Sequence, residues 1–225
     1  MANVFLIVEG STEEQFYKKT LQEEYIKEDG TYKHFISVTQ MPSKKNTTSR
    51  EKKGGRVSFD TAVTNVRRFI RSNGHCALIL LILDYYGLDT TFSDHLTQDH
   101  RTLDQKVQAI QERLEQEIDH AKFRFRLQVH EFEAYLFSDA GKIAGHFGDP
   151  EVQEQLEYIL AGFNDDPEAI NNDVKTAPSK RLDELFPDFG KTTDGILLAE
   201  KIGVQQIRQK CRRFNEMCKL IDALP

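Results

Sequence analysis

The sequence predicts an α/β protein: a mainly parallel, Rossmann-like sheet flanked by helices, with a helical C-terminal extension. Three observations predict it. Two apolar runs, Val4–Val8 and CALILLILD (Cys76–Asp84), lack the alternation of a half-exposed strand and suit strands covered on both faces. Helical periodicities separate the strand patterns through the first two-thirds of the chain, the order that builds βα units. Beyond Ser138 no strand pattern occurs, and helical patterns interrupted by Gly and Pro continue to the end. We therefore expect a core over residues 1–138 and an extension over 139–225 packed on it.

Each element follows from local chemistry. After Val4–Val8, Gly10-Ser11 turns the chain, and Ser11 with Glu14 three residues on has the form of a capping box. The helix it opens runs to about Lys27, with Phe16, Thr20, Leu21, Tyr25 and Ile26 near one face, and Asp29-Gly30 ends it. HFISVT (His34–Thr39) reads as a second strand. Ser58 caps a helix bearing Val63, Val66, Phe69 and Ile70, closed by Asn73-Gly74. Cys76–Asp84 is the most apolar stretch and reads as a central strand. A helix over Leu103–Ile118 precedes FRFRLQV (Phe123–Val129), which alternates like a half-exposed strand. In the extension, helical patterns occur near Glu151–Leu160, Arg181–Leu185, Thr193–Ile202 and Val204–Leu220.

Composition narrows the function classes. The chain has 225 residues, enough to bury a sizeable core, with 29% charged residues and a net charge of −6. No apolar run approaches the roughly 20 residues of a membrane-crossing helix. The N-terminal run is too short for a signal peptide, lacks a basic flank and is cut by Glu9, so a cytoplasmic protein is expected. Cys76, Cys211 and Cys218 have no metal-ligand spacing and are read as reduced, packed thiols.

The ends of the strands hold the chemistry. In an open α/β sheet, ligands bind beyond the carboxyl ends of the strands. Two apolar runs end there in Glu9 and Asp84, and Glu131 and Glu133 follow the strand Phe123–Val129. Glu13, on the first turn of the helix leaving strand one, points near the same crevice. Two like charges about 4 Å apart repel by about 4 kcal/mol at an effective dielectric of about 20. Such a cluster shares a proton or takes a cation, and oxygen ligands favour magnesium or manganese. Each acid also has an ordinary explanation. Glu13 suits the positive end of a helix dipole, Glu9 can face water, Asp84 can cap a turn, and Glu131 and Glu133 can decorate a helix. Their coincidence at one sheet edge favours a site.

VEGSTEEQF (Val8–Phe16) resembles the first motif of Toprim domains, the fold of topoisomerases, bacterial primases and OLD-family nucleases. LILDYYGLDT (Leu81–Thr90) resembles the second, where that superfamily has Asp-x-Asp. With HEFEAYLF, APSKRL and FGKTTDG, the ordered set resembles a bacterial Toprim-like family known as a domain of unknown function, often encoded beside an ATPase. The resemblance implies a Toprim-like fold and metal-dependent phosphodiester hydrolysis, with Glu9, Asp84 and Lys191 as catalytic residues. It also implies Glu9, Glu13, Asp84 and Glu133 as ligands of Mg²⁺ or Mn²⁺. Asp89, Glu131 and His130 are further candidates for the metal or its surroundings, and Lys180 is the rival of Lys191. Tyr86 stands where the second aspartate is expected, which leaves open a non-catalytic module that binds nucleic acid or an ATPase.

One stretch is basic in an acidic chain: Lys44, Lys45, Arg50, Lys52, Lys53 and Arg56 surround a single Glu51. Contacts of this kind to phosphates give sequence-independent affinity, so these six are candidate nucleic-acid-binding residues, or else a solvated loop. No aromatic residue interleaves them, which argues against base stacking there. No Walker A loop is present, so any ATP hydrolysis belongs to a partner, expected to be an ABC- or AAA-type ATPase encoded alongside. A small-molecule phosphotransferase ranks last, for want of a Gly-rich phosphate cradle.

Overall fold

The computed structural model describes residues 1–42, 57–94, 96, 102–170 and 176–225. The basic stretch Lys44, Lys45, Arg50, Lys52, Lys53 and Arg56 lies outside the described residues.

Four strands, β1 (Ala2–Val8), β2 (His34–Gln40), β3 (Leu78–Asp84) and β4 (Phe123–Gln128), form one sheet in the order β2-β1-β3-β4, every pairing parallel. The chain is thus α/β, as its apolar runs predict. Alternate residues of β1 enter two different cores, which is why the run has no polar face. Val4, Leu6 and Val8 face one side with Ile36, Val38, Leu78, Leu80 and Ile82. Phe5 and Ile7 face the other with Ile79, Leu81, Leu83, Phe123 and Phe125.

Helices α2 (Phe59–Ser72) and α3 (Leu103–Ile118) cover the second face with Ala62, Val63, Val66, Val107, Ile110 and Leu114. Ser58 caps α2 by accepting from the Thr61 amide. The first face is covered by α1 (Ser11–Phe16) and by the C-terminal helices α4 (Ala140–Phe147), α5 (Glu151–Ala161), α6 (Pro178–Leu185), α7 (Asp194–Ile202), α8 (Val204–Lys210) and α9 (Arg212–Asp222). Leu156, Leu182, Leu198, Ile207 and Phe214 share one core with Leu6 and Leu80. The C-terminal segment therefore supplies a layer of the fold, since without it one face of the sheet would meet water.

Three local expectations are corrected, and one helix was not foreseen. Helix α1 gives way to a π-helical stretch at Tyr17–Leu21 and does not run to Lys27; an Ile26–Tyr32 bridge holds the turn that follows. Ser11 is the first helical residue and makes no cap, because Glu14 accepts instead from Lys18 and from Gln40 Nε2. The pattern Val204–Leu220 is broken at Cys211, where the buried Glu168 accepts from the amides of Arg213 (2.7 Å) and Phe214 (3.0 Å) and so starts α9. Helix α4, begun by Asp139 accepting from the Lys142 amide, had no strong periodic signal.

Both sheet edges are closed by side chains. Gln22 spans β2, donating to His34 O and accepting from Ile36 N. Gln111 and Glu115 accept from Leu127 N and Phe125 N on β4. Pairing with another strand is thereby blocked at those positions.

Candidate active site

β1 leads through α1 to β2 on one side, and β3 leads through α3 to β4 on the other. The crevice between the carboxyl ends of β1 and β3 is therefore a topological switch point. Pairing of Ile7 with Leu81 brings Glu9 level with the last residues of β3. Glu9 Oε2 accepts from the Asp84 amide at 3.2 Å, linking the two strand ends directly. Gly87 permits the approach: a Cβ there would stand 3.3 Å from Glu9 Oε1. Glu13 folds back over the same turn, its Oε2 lying 2.5 Å from where a Cβ on Gly10 would be.

Pairing of Asp84 with Gln128 brings the segment after β4 to this edge. Glu131 and Glu133 lie at the start of the 3-10 turns Phe132–Ser138. Glu131 Oε2 accepts from the Ser179 amide at the start of α6 (3.2 Å). Glu133 is buried, and Lys191 Nζ stands 3.4 Å from its Oε1 and 3.8 Å from Glu131 Oε1. Of the two rival lysines, Lys191 reaches these acids, whereas Lys180 is bound to Asp183 at 2.8 Å.

The electrostatics match the crowding. Burial, then the charges of Glu13, Glu9, Glu131 and Glu133 in that order, hold the Asp84 carboxyl well above the usual carboxylate range, although part of its surface meets water. Burial raises Glu13 as well; its own backbone amide opposes this, and Glu133 and Glu9 add to it. Burial raises Glu133, with Lys191 pulling the other way. All three carboxyls are thus destabilised as anions, and each would gain from a nearby cation.

The other candidates have different surroundings. Asp89 accepts from the amide and hydroxyl of Thr91 at 3.0 and 2.7 Å, capping the 3-10 turn Thr90–Phe92. His130 is buried, its ring 6.0 Å from that of Tyr86. Tyr86 is 52% exposed and brings no carboxylate to the position after next from Asp84. Sequence reasoning missed the polar back wall of the site. Tyr135 donates to Gln128 Oε1 (2.9 Å) and Gln128 Nε2 donates to His130 O (2.8 Å), while the buried Tyr17 has its hydroxyl pushed well above its ordinary value by burial first and then by the charges of Cys218, Glu13 and Asp84. The one available signal was Gln128, a polar residue following Leu127 where the Phe/Arg alternation of β4 ends.

Glu9, Glu13, Asp84, Glu131 and Glu133 make an all-oxygen, anionic donor set, whose chemistry fits a hard divalent cation. Among the described residues, no three acid, His or Cys side chains already stand as a metal-holding group, so ligation requires side-chain rotation. No helix among the described residues is long and apolar enough to cross a membrane. No curated protein and no solved structure matches the chain. A family profile covers nearly all of it: the chain belongs to the family described as Domain of unknown function (DUF4276), matched over residues 8–222.

Proposed function

We propose that this crevice is the active site of a Toprim-type, Mg²⁺- or Mn²⁺-dependent nuclease that hydrolyses phosphodiester bonds in DNA or RNA. The observation that carries the reading is the meeting of five carboxylates and Lys191 at the β1–β3 switch point. Glu9, Glu13, Asp84 and Glu133 would hold the metal. When bound, such an ion polarises the phosphate and lowers the pKa of an attacking water. Lys191, within 4 Å of both Glu131 and Glu133, is set to offset charge on the pentavalent transition state. Glu131, anchored by the Ser179 amide, holds that lysine at the rim. The three buried free thiols agree with a reducing, cytoplasmic compartment. A defence role alongside a separate ATPase belongs to the same reading and rests on the motif resemblance alone.

The test compares the wild-type protein with Glu9→Ala on single- and double-stranded DNA and RNA, with Mg²⁺ or Mn²⁺ and with chelator. Metal-dependent cleavage that falls about 100-fold or more in the variant is expected. Equal cleavage by both proteins overturns the assignment. Tyr86 favours a second reading, a module that binds without cutting, because the position expected to supply a second aspartate ligand has none. Metal and nucleic-acid binding without cleavage would select it.

A further inference from the structure

Lys191 sits on an exposed connection between α6 and α7, yet the acids need it at one place. A long side chain on such a connection has no reason to stay there unless the backbone is fixed. The segment Gly190–Asp194 is closed on itself: the amides of Thr193, Asp194 and Gly195 all donate to Gly190 O, at 3.1, 2.8 and 3.2 Å. Asp194 Oδ2 reaches back and accepts from Gly190 N at 2.8 Å. A Cβ at position 190 would run into Thr193 Oγ1 and stand 3.2 Å from Asp194 Oδ2, so both side chains would have to shift from where the closure holds them.

The second oxygen of Asp194 ties the loop to the body of the protein. Asp194 Oδ1 lies 3.1 Å from Nε2 of His146 on α4, and His146 Nδ1 lies 2.9 Å from Nζ of Lys201 in the last turn of α7. The Lys201 ammonium has only protons to give, so Nδ1 accepts and Nε2 bears the N–H that Asp194 receives. Asp194 as a mere dipole complement of α7 would require neither the bond to Gly190 nor the one to His146.

We propose that Asp194, oriented by His146 and Lys201, is a positioning residue that fixes the Gly190–Asp194 loop and so aims Lys191 at Glu131 and Glu133. Its catalytic consequence rests on the nuclease reading; its structural consequence does not.

Two measurements separate them. Amide hydrogen exchange of the 190–195 segment reads positioning directly, in a protein of any activity. Asp194→Ala is expected to lose about tenfold or more of that protection, the scale of a lost charged acceptor, with the strands unchanged. Asp194→Asn keeps an acceptor for Gly190 N but turns its NH₂ toward the His146 Nε2–H, so it should recover only part of the protection. In a cleavage assay, Asp194→Ala should lower kcat as much as Lys191→Ala, leave KM within about twofold, and add no further loss in the double variant. Unchanged protection in Asp194→Ala overturns the inference, as does additive loss in the double variant. Lost protection in Asp194→Ala, together with a wild-type protein that cleaves nothing, upholds the positioning and removes the nuclease reading.

Discussion

Neutralising Asp84 is expected to stabilise the protein, because the native arrangement holds that carboxylate among like charges. Asp84→Asn keeps the shape of the side chain and removes the charge that Glu13, Glu9, Glu131 and Glu133 oppose. One pair of unit charges about 8 Å apart interacts with about 2 kcal/mol at an effective dielectric of about 20, so four pairs give about 8 kcal/mol. Solvent around the exposed Glu9, the Lys191 cation and proton uptake by the cluster all reduce this, and we take about 2 kcal/mol as the net. For a chain of this size that raises Tm by roughly 4–8 °C.

The pH dependence carries the sign. A carboxyl raised in the folded state binds protons that the unfolded chain has released, so its contribution to stability falls as pH climbs from about 4 through the raised value. Asparagine does not titrate. The melting temperatures of wild type and Asp84→Asn should therefore converge near about pH 4 and separate toward about pH 8, with the variant higher. Circular dichroism melts in chelator read the gap. The difference is needed because His34, buried and lowered by burial, acts oppositely: its contribution is present above about pH 6.5 and is lost as pH falls. A variant that melts at or below wild type at about pH 8 would refute the reasoning, as would a gap that does not shrink on acidification.

Three further outcomes are expected. Tyr86→Asp restores a carboxylate beside Asp84 and should tighten Mg²⁺ or Mn²⁺ binding about tenfold by calorimetry; unchanged or weaker binding would remove Tyr86 as the reason for any weak metal site. The fragment 1–138 keeps only α1, the π-helical stretch after it and the turns Phe132–Ser138 over the Val4–Leu6–Leu80 face and should bind a hydrophobic dye and melt without cooperativity; a cooperative transition would show that the C-terminal layer is dispensable. Fluorescence anisotropy should find nucleic acid bound at least about tenfold more tightly with Mg²⁺ than with chelator, and Glu9→Ala should abolish that coupling; metal-independent binding unaffected by Glu9→Ala would move the interface elsewhere.

What the sequence conveyed follows physical locality. Helix α3 runs over Leu103–Ile118, where its periodicity puts it, because Thr102 and Gln105 cap it with contacts three residues apart. β1 and β3 were legible because a continuous apolar run ending in an acid has few alternatives. The failures came from distant partners. Gln22 directly follows the π-helical stretch Tyr17–Leu21 and holds the backbone of β2, a demand nothing near it announces. The break at Cys211 answers to Glu168, from another part of the chain, which satisfies the first amides of α9. The site behaved likewise. Strand-end acids were visible as misplaced charges, and Lys191 through the motif around it, whereas Asp194 and His146 acquire their role only when α4 and α7 meet.

The cost of the cluster is itself informative. Five carboxylates against one lysine leave four formal negative charges at a crevice that three strand ends build separately, and burial makes the Glu13, Asp84 and Glu133 anions dearer. Ordinary capping or solvation explains any one of them, but accounts for neither the joint burial of Glu13, Asp84 and Glu133 nor the Glu9 contact to the Asp84 amide. An arrangement selected for stability alone would replace Asp84 first, since nothing among the neighbours driving its shift stabilises the anion. Nor does a phosphate backbone approach such a field unaided, because every acid that suits a cation repels a polyanion. On the proposed nuclease reading, the same charges that argue for a metal would make that metal, with Lys191, precede or accompany nucleic acid at this edge. Gln22, Gln111 and Glu115 meanwhile obstruct strand addition at the β2 and β4 edges of the sheet, so a partner that met this fold by β-pairing would be disfavoured at those positions.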